Sequence, residues 1–275
     1  MTAPARPVTF LHLTDLHLCV PALADSTLNG DTLASFDAVL ARIAQLDPAP
    51  DFLLITGDLT HRGDADSYRL LANRLGRVAM PQMLALGNHD RRGPFGTVIR
   101  GEAGEAPYAH EAVIAGVHVI VLDTLVPGRI AGALDAAQFA FLDRVIAARP
   151  GLPRILGLHH PPVIEGENAP VWRHLNPDDS ARLARALEGQ GVAGIFCGHI
   201  HVPRVSLWHG MPVVVGNGLH DGHDPLERQA MRITDARGFG LCTLRPAGLT
   251  VEFVSLPHAG REVHRLSAEE VAALR

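Results

Sequence analysis

The chain has 275 residues, 47% of them hydrophobic, and a formal net charge of −5 with no block of basic residues. That balance argues against an extended nucleic-acid footprint, and no window approaches the ~20 apolar residues of a membrane span. Three widely spaced cysteines, Cys19, Cys197 and Cys242, form neither a disulfide framework nor a Cys-x-x-Cys knuckle, which favours a reducing compartment. With no composition break, residues 1–275 read as one domain. The start, Met1 to Pro7, lacks the apolar core of a signal peptide, so the expectation is a soluble, cytoplasmic protein. The basic side chains other than histidine are all arginine, and the sixteen histidines are the unusual count.

Val8 to Leu13 reads as a first strand ending in Thr14-Asp15-Leu16-His17. Asp31 can cap a helix with Leu33, Phe36, Leu40 and Ile43 at helical spacing. Phe52 to Thr56 is a continuously apolar strand, as expected when both faces are buried, and ends in Gly57-Asp58. Asp64 caps a second helix carrying Tyr68, Leu71, Leu75 and Val78. Met83 to Leu86 leads into Gly87-Asn88-His89-Asp90, and residues 91 to 107 have no period and read as a loop or small excursion. Tyr108 to Ile114 and Val117 to Leu122 form a hairpin about Ala115-Gly116. Asp135 with Gln138 resembles a capping box opening a helix with Phe139, Leu142 and Ile146 inward. Ile155 to Leu158 ends in His159-His160-Pro161-Pro162, and a polar loop runs from Val163 to His174. Asn176-Pro177 then starts a helix, and Val192 to Cys197 ends in Gly198-His199-Ile200-His201. After that, Val205–Trp208, Val213–Val215, Arg228–Thr234, Gly240–Leu244 and Thr250–Ser255 read as consecutive antiparallel strands. Ser267 caps a short last helix. Alternating strands and helices followed by strand upon strand predict an α/β layered fold with mixed sheets and antiparallel strands in the last third. The polar clusters all fall at strand ends, where parallel α/β sheets place their sites.

The candidate ligands are Asp15, His17, Asp58, Asn88, His159, His199 and His201: two carboxylates, one amide oxygen and four imidazoles from five strand ends. Singly, each such turn is more often a helix cap or a solvated loop; five of them, in order and each at a strand end, are not explained that way. Seven hard-to-borderline donors are too many for one tetrahedral zinc. They suit two octahedral or five-coordinate ions sharing a bridging carboxylate, with Mn, Fe, Zn or Co all compatible.

At these residues the sequence resembles the calcineurin-like metallophosphoesterases, whose pattern runs D-x-H, G-D, G-N-H-D or -E, a later His, and G-H-x-H. Within that superfamily, D-L-H, G-N-H-D-R, H-H-P-P and G-H-I-H are most similar to the class III cyclic-nucleotide phosphodiesterases and their glycerophosphodiesterase relatives. The resemblance implies a four-layer αββα sandwich with a dinuclear centre: Asp15, His17 and His201 on the first ion, Asp58 bridging, and Asn88, His159 and His199 on the second. It assigns the ligand role to His159 rather than His160. It also implies that His89 is no ligand but serves the leaving oxygen of the phosphate, with Asp90 orienting its imidazole. The implied activity is hydrolysis of a small phosphodiester such as 3′,5′-cyclic AMP by metal-activated hydroxide. The alternatives are a glycerophosphodiester, a 2′,3′-cyclic nucleotide or a phosphomonoester. A DNA-end nuclease is disfavoured by the acidic balance and the short chain after His201, a non-catalytic scaffold by the complete ligand set. Hydrolysis of lipid-sugar pyrophosphates ranks low, because those relatives show Arg where this chain has His89. Gly216-Asn217-Gly218 departs from the Pro-Ser-Thr-like turn of cyclic-nucleotide members.

Other histidines take a structural or exposed reading: His12 in the first strand, His110 and His118 in the hairpin, His258 and His264 near the tail. His61 is a candidate for the rim. Leu219-His220-Asp221-Gly222-His223-Asp224 looks like a third metal motif but lies in a polar loop, read as solvated or in contact with another subunit. The late strands and the Leu219–Arg228 loop are candidate contacts of a homo-oligomer. Arg91 and Arg92 are divided between meeting substrate and lying exposed.

Overall fold

The structure, a computed structural model, describes residue 4 and residues 6–167, 173–227 and 229–274. Part of the expected 163–174 loop, and Arg228, lie outside them. Two sheets face each other. The first has the order β13-β12-β1-β2-β3, with β1 (Val8–Leu13), β2 (Phe52–Thr56) and β3 (Gln82–Ala85) parallel and β12 (Gly238–Arg245) and β13 (Gly248–Ser255) antiparallel to their neighbours. The second has the order β4-β5-β6-β7-β9-β8, in which β5 (Val117–Val121), β6 (Arg154–Gly157), β7 (Val192–Cys197) and β9 (Met211–Val215) are parallel. The strands β4 (His110–Ile114) and β8 (Arg204–Trp208) close its two edges antiparallel. A small third sheet joins β11 (Met231–Thr234) to β10 (Gly222–His223) on one side and β14 (Glu262–Leu266) on the other.

Alternation along the apolar strands divides the interior into three cores. Phe10, Phe52, Leu54, Val119, Ile155, Phe196 and Val214 meet between the sheets. Leu11, Leu13, Leu53 and Ile55 face outward onto α1 (Thr32–Ile43) and α2 (Ala65–Leu75), which bury Phe36, Val39, Tyr68 and Leu71 there. On the far side Ile120, Leu156, Ile195 and Cys197 pack on α4 (Ala136–Ala148) and α5 (Pro177–Leu187). Helix, sheet, sheet, helix is the four-layer αββα arrangement with mixed sheets.

Helix starts follow the expected caps. Asp31, Asp64 and Asp135 accept from Ala34, Ser67 and Gln138 N–H, and Asn176 accepts from the N–H groups of Asp178 and Asp179. The box at Asp135 is only half formed, because the Gln138 amide bonds both backbone groups of Asp123 instead. The α4 carboxyl end is closed by Arg154, whose guanidinium donates to the Ile146 and Arg149 carbonyls (3.1 and 2.7 Å), the former also accepting the Arg149 N–H at 3.2 Å. Two expectations are corrected. Residues 91–107 contain the short helix α3 (Arg92–Phe95) and a π-helical turn over Gly96–Arg100, anchored by buried Phe95 between Tyr68 and Tyr108. The late strands do not simply pair in succession. The hairpins β8–β9 and β12–β13 form, but β9 joins β7 in parallel, β12 completes β1, and β11 pairs only within the third sheet. The apolar faces of Val214, Cys242 and Leu244 belong to the core between the sheets, and this draws β9 and β12 into the two large sheets.

Candidate metal centre

The parallel strands of both sheets end on one side, and the backbone turns sharply as they do. Asp15, His17, Asp58, His199 and His201 all have positive φ, between 43° and 74°. Each such non-glycine residue is disfavoured by roughly 1–2 kcal/mol. The turn after β1 makes Asp15 and His17 point into a common space, and the turn after β7 sends His201 to Asp15 and His199 to His159. Backbone bonds hold the turns: Asp15 N–H to Gly57 O (3.1 Å), His17 N–H to Asp58 O (2.9 Å), Gly198 N–H to His159 O (3.0 Å) and His220 N–H to Asp15 O (3.0 Å). Glycines stand where motif side chains pass close by. A Cβ at Gly57 would lie 2.5 Å from His159 Nδ1, at Gly87 2.3 Å from Asp58 Oδ1, and at Gly198 2.6 Å from Asp15 Oδ2.

The five expected strand ends do converge. His201 Nε2 lies 3.2 Å from Asp15 Oδ1, His17 Nε2 3.5 Å and His159 Nε2 3.3 Å from Asp58 Oδ2, and Asn88 Oδ1 3.1 Å from His159 Nε2. Asp15 also accepts the His199 N–H at 3.1 Å, tying the two sheets together. The His199 ring centroid lies 5.1 Å from that of His159. The triads Asp15–His17–His201 and Asp15–Asp58–His159 each bring three ligand atoms within 4.8 Å of one another.

Lone-pair orientation shows that these residues fit metal ions. His159 Nδ1 donates to the Thr56 carbonyl at 2.8 Å, so Nε2 is the nitrogen turned toward the Asn88 and Asp58 oxygens and available to a metal ion. Such a contact needs a positive charge between the atoms, either a metal ion or a proton on Nε2. His17 Nε2 is buried with no hydrogen-bond partner, although it faces Asp58. Both nitrogens of His201 face carboxylates, Asp15 and Asp221. The donors are nitrogen and oxygen throughout; Cys197 lies in the helix-side core, outside the site. The electrostatics agree. Burial would raise the Asp58 carboxyl, but His159, His89 and His17 outweigh it and hold it well below the usual range. Burial would lower His159, but Asp58 and Asp15 raise it to about 9, so its Nε2 takes up positive charge here, as a proton that a bound ion would displace. Burial, reinforced by His220 and His89, pushes His17 well down and keeps the ring neutral, with one nitrogen unprotonated. Four carboxylates, Asp15, Asp58, Asp90 and Asp221, are at most 3% exposed here, a concentration of negative charge that buried ions would neutralise.

The two histidines after β6 differ in their bonds, although both lie with His199 in one group that could hold an ion. His160 Nε2 donates to the Ile130 carbonyl (2.8 Å) and Nδ1 accepts from the Thr124 hydroxyl (2.7 Å), so both nitrogens are engaged in packing. His89 lines the cleft, and its Nδ1 donates to the His61 carbonyl at 3.0 Å. The expected orienting role of Asp90 is therefore corrected. Asp90 accepts instead from the N–H groups of Leu59, Thr60 and Gly87 and from the Tyr68 hydroxyl (2.8 Å), locking the Asp58 turn to the Asn88 turn. His61 sits at the rim as expected, its Nδ1 3.3 Å from that of His17. The arginines divide: Arg92 is bound to buried Asp123 at 2.7 Å and to the Leu125 carbonyl, whereas Arg91 is exposed in the cleft wall. His12 takes its expected structural place, bonded to Thr56 Oγ1 at 2.8 Å beneath the centre.

One part of the site was missed. The loop from Leu219 to Asp224, expected to be solvated or a subunit contact, enters the centre. His220 and Asp221 are 5% and 2% exposed, and Asp221 Oδ1 lies 2.5 Å from His201 Nδ1. The signal was in the sequence, since this polar cluster follows the apolar strand β9 as the others follow theirs. Beside the centre opens a cleft of about 600 Å³, lined by the polar Asn88, His89 and Arg91 and by the apolar Pro94, Leu125 and Pro127.

Comparison with known proteins agrees with this geometry. A probable cyclic nucleotide phosphodiesterase of Rhodococcus erythropolis is 35% identical over 218 residues, 77% of this chain and 71% of the relative. A cAMP/cGMP dual specificity phosphodiesterase of Mycobacterium tuberculosis is 32% identical, over 78% of this chain and 68% of its own. A dimetal phosphatase of Danio rerio superposes with a TM-score of 0.59 at 14% identity, over 92% of this chain and 99% of that one, a likeness of fold. The sequence profile of the calcineurin-like phosphoesterases matches residues 8–203, from β1 to just past the last candidate ligand, and the chain belongs to that family.

Proposed function

We propose that the protein hydrolyses a small phosphodiester, 3′,5′-cyclic AMP first among them, at a dinuclear centre. In this reading Asp15, His17 and His201 hold one ion, Asn88, His159 and His199 the other, and Asp58 bridges. The observation that carries it is the meeting, at the ends of both sheets, of buried imidazole nitrogens with carboxylate and amide oxygens 3.1–3.5 Å away. The donor set suits manganese, iron, zinc or cobalt. When bound, the ions supply a nucleophile from water near neutral pH and neutralise the phosphate.

The chain's own residues account for the remaining work. The His61 carbonyl fixes the His89 ring through Nδ1–H, so a protonated ring can deliver its Nε2 proton to the departing alkoxide. Arg91 offers a cation in the cleft lining, and Pro94, Leu125 and Pro127 add apolar lining to a cleft whose volume of about 600 Å³ suits a small ligand. A cyclic nucleotide is also what the names of the two relatives support. Cytoplasmic residence is supported by three free, buried thiols; among the described residues no helix is long and apolar enough to cross a membrane.

The test is protein stripped of metal, resupplied with manganese, and offered bis(p-nitrophenyl) phosphate. A panel of 3′,5′- and 2′,3′-cyclic nucleotides, glycerophosphodiesters and phosphomonoesters follows. Turnover of 3′,5′-cyclic AMP above the other substrates is expected. No turnover of any diester would refute the activity, and preference for a glycerophosphodiester would move the substrate while keeping the centre.

A further inference from the structure

The loop after β9 lies outside the five motif blocks and beyond the family match, yet it is built into the centre. Leu219 N–H donates to the Thr14 and Asp15 carbonyls (both 3.2 Å), and His220 N–H to the Asp15 carbonyl. Asp221 is gripped from several directions. Asn29 Nδ2 donates to its Oδ2 at 2.7 Å. The Asn29 N–H donates to His220 Nε2 at 2.8 Å, so the His220 proton sits on Nδ1, 3.3 Å from the same carboxylate oxygen. The other oxygen, Oδ1, faces His201 Nδ1 at 2.5 Å. Gly218 makes room, since a Cβ there would lie 3.0 Å from that imidazole nitrogen.

A carboxylate so placed has one consequence for the ring it touches. It holds the His201 proton on Nδ1, turns the Nε2 lone pair toward Asp15, and makes that nitrogen a better donor. We propose that Asp221 is a positioning residue for the first ion, fixing His201 as an Nε2 ligand, so that the affinity of that ion depends on the Asn29–His220–Asp221 network. The inference rests on the reading of His201 as a metal ligand.

Full-length protein stripped of metal is titrated with manganese at buffered free concentrations. Bound ions are counted per chain, and the melting temperature of each metal-free variant is recorded. Asp221→Asn, which keeps the size and an acceptor oxygen, is expected to weaken one of the two ions about 10-fold, and Asp221→Ala up to about 100-fold. The second ion should be unchanged, and His201→Ala should remove the same ion that Asp221→Ala weakens. If the alanine variant does not fold, the asparagine variant decides. A folded variant that binds both ions as tightly as wild type overturns the proposal. So does a fall in metal-free melting temperature with no change confined to one ion, which is what a merely structural role would give. Two ions retained in His201→Ala, or none bound by wild type, overturns the metal-centre reading, and this inference with it.

Discussion

Gly57→Ala separates the geometry of the centre from the stability of the fold. Gly57 has φ +93°, and an added Cβ would lie 2.5 Å from His159 Nδ1 and 2.8 Å from its Cβ, where ordinary contact begins near 3.4 Å. The ring must therefore withdraw by about 0.9 Å, or the β2 turn must open by as much. Either movement breaks the 2.8 Å bond from His159 Nδ1 to the Thr56 carbonyl that aims Nε2 at the centre. The backbone contributes roughly 1–2 kcal/mol of destabilisation and the overpacking about 1–3 kcal/mol. The total of about 2–5 kcal/mol should lower the melting temperature by roughly 5–15 °C in a chain of this size. Gly116→Ala is the control. Gly116 has φ +83° and open space where its Cβ would be, so it should show only the backbone contribution and normal metal binding. The assay is metal content per chain beside thermal unfolding of the metal-free protein. Gly57→Ala should lose affinity for one ion by at least tenfold, the order seen when a ligand's supporting contact is lost. Wild-type occupancy of both ions in Gly57→Ala, with a melting temperature no lower than that of Gly116→Ala, would refute the reasoning.

Other substitutions probe the supporting shell. Asp90→Ala strands the N–H groups of Leu59, Thr60 and Gly87 and the Tyr68 hydroxyl. It should cost about 3–5 kcal/mol in chemical unfolding, whereas a loss of turnover with unchanged stability would return Asp90 to a purely catalytic role. His89→Ala should leave both ions bound and lower kcat about 10²–10⁴-fold; metal loss instead would make His89 a ligand. Arg92→Ala leaves buried Asp123 without its cation and should destabilise by about 3–5 kcal/mol. Arg91→Ala should change stability by no more than about 0.5 kcal/mol and raise KM for nucleotides, and equal stability effects at the two positions would refute that division. His12 is pushed down to about 3 by burial, so between that value and its ordinary 6.5 the unfolded chain binds a proton that the fold refuses. Stability is therefore complete above pH 6.5 and falls as pH drops, by roughly 1.4 kcal/mol per unit from this group. His12→Gln, keeping a partner for Thr56, should flatten the metal-free acid-unfolding profile, and an unchanged slope would show that His12 does not titrate as argued.

Most of the fold is legible in the sequence because local rules agree with the tertiary outcome. β1 and β2 begin and end where their apolar runs do, and Asp31, Asp64 and Asn176 cap the helices they precede. The candidate ligands are legible for a related reason: a carboxylate or imidazole placed just after a buried strand has little to do there unless it meets partners. What the sequence does not carry is which partners. Asp90 follows His89 in the chain, but a tight turn directs its carboxylate away, into the N–H groups of the neighbouring turn. His159 and His160 are chemically alike, and only the oxygens around them distinguish a ring whose Nε2 faces Asp58 from one whose two nitrogens are bonded to Thr124 and Ile130.

The late strands show the same division. Their existence follows from alternation and turn residues, but their pairing depends on which edges of the two large sheets remain open, which no local pattern encodes. For the same reason the Leu219–Asp224 loop looked solvated. Its polar composition is that of a surface loop, and its burial follows only from β9 lying parallel beside β7, which delivers His220 and Asp221 to the mouth where Asp15 and His201 already meet. The residue types needed for the centre are therefore set by the sequence alone. Which nitrogen of each imidazole faces it is set by the hydrogen bonds that distant segments bring to the other nitrogen, and those exist only once the two sheets have closed on each other.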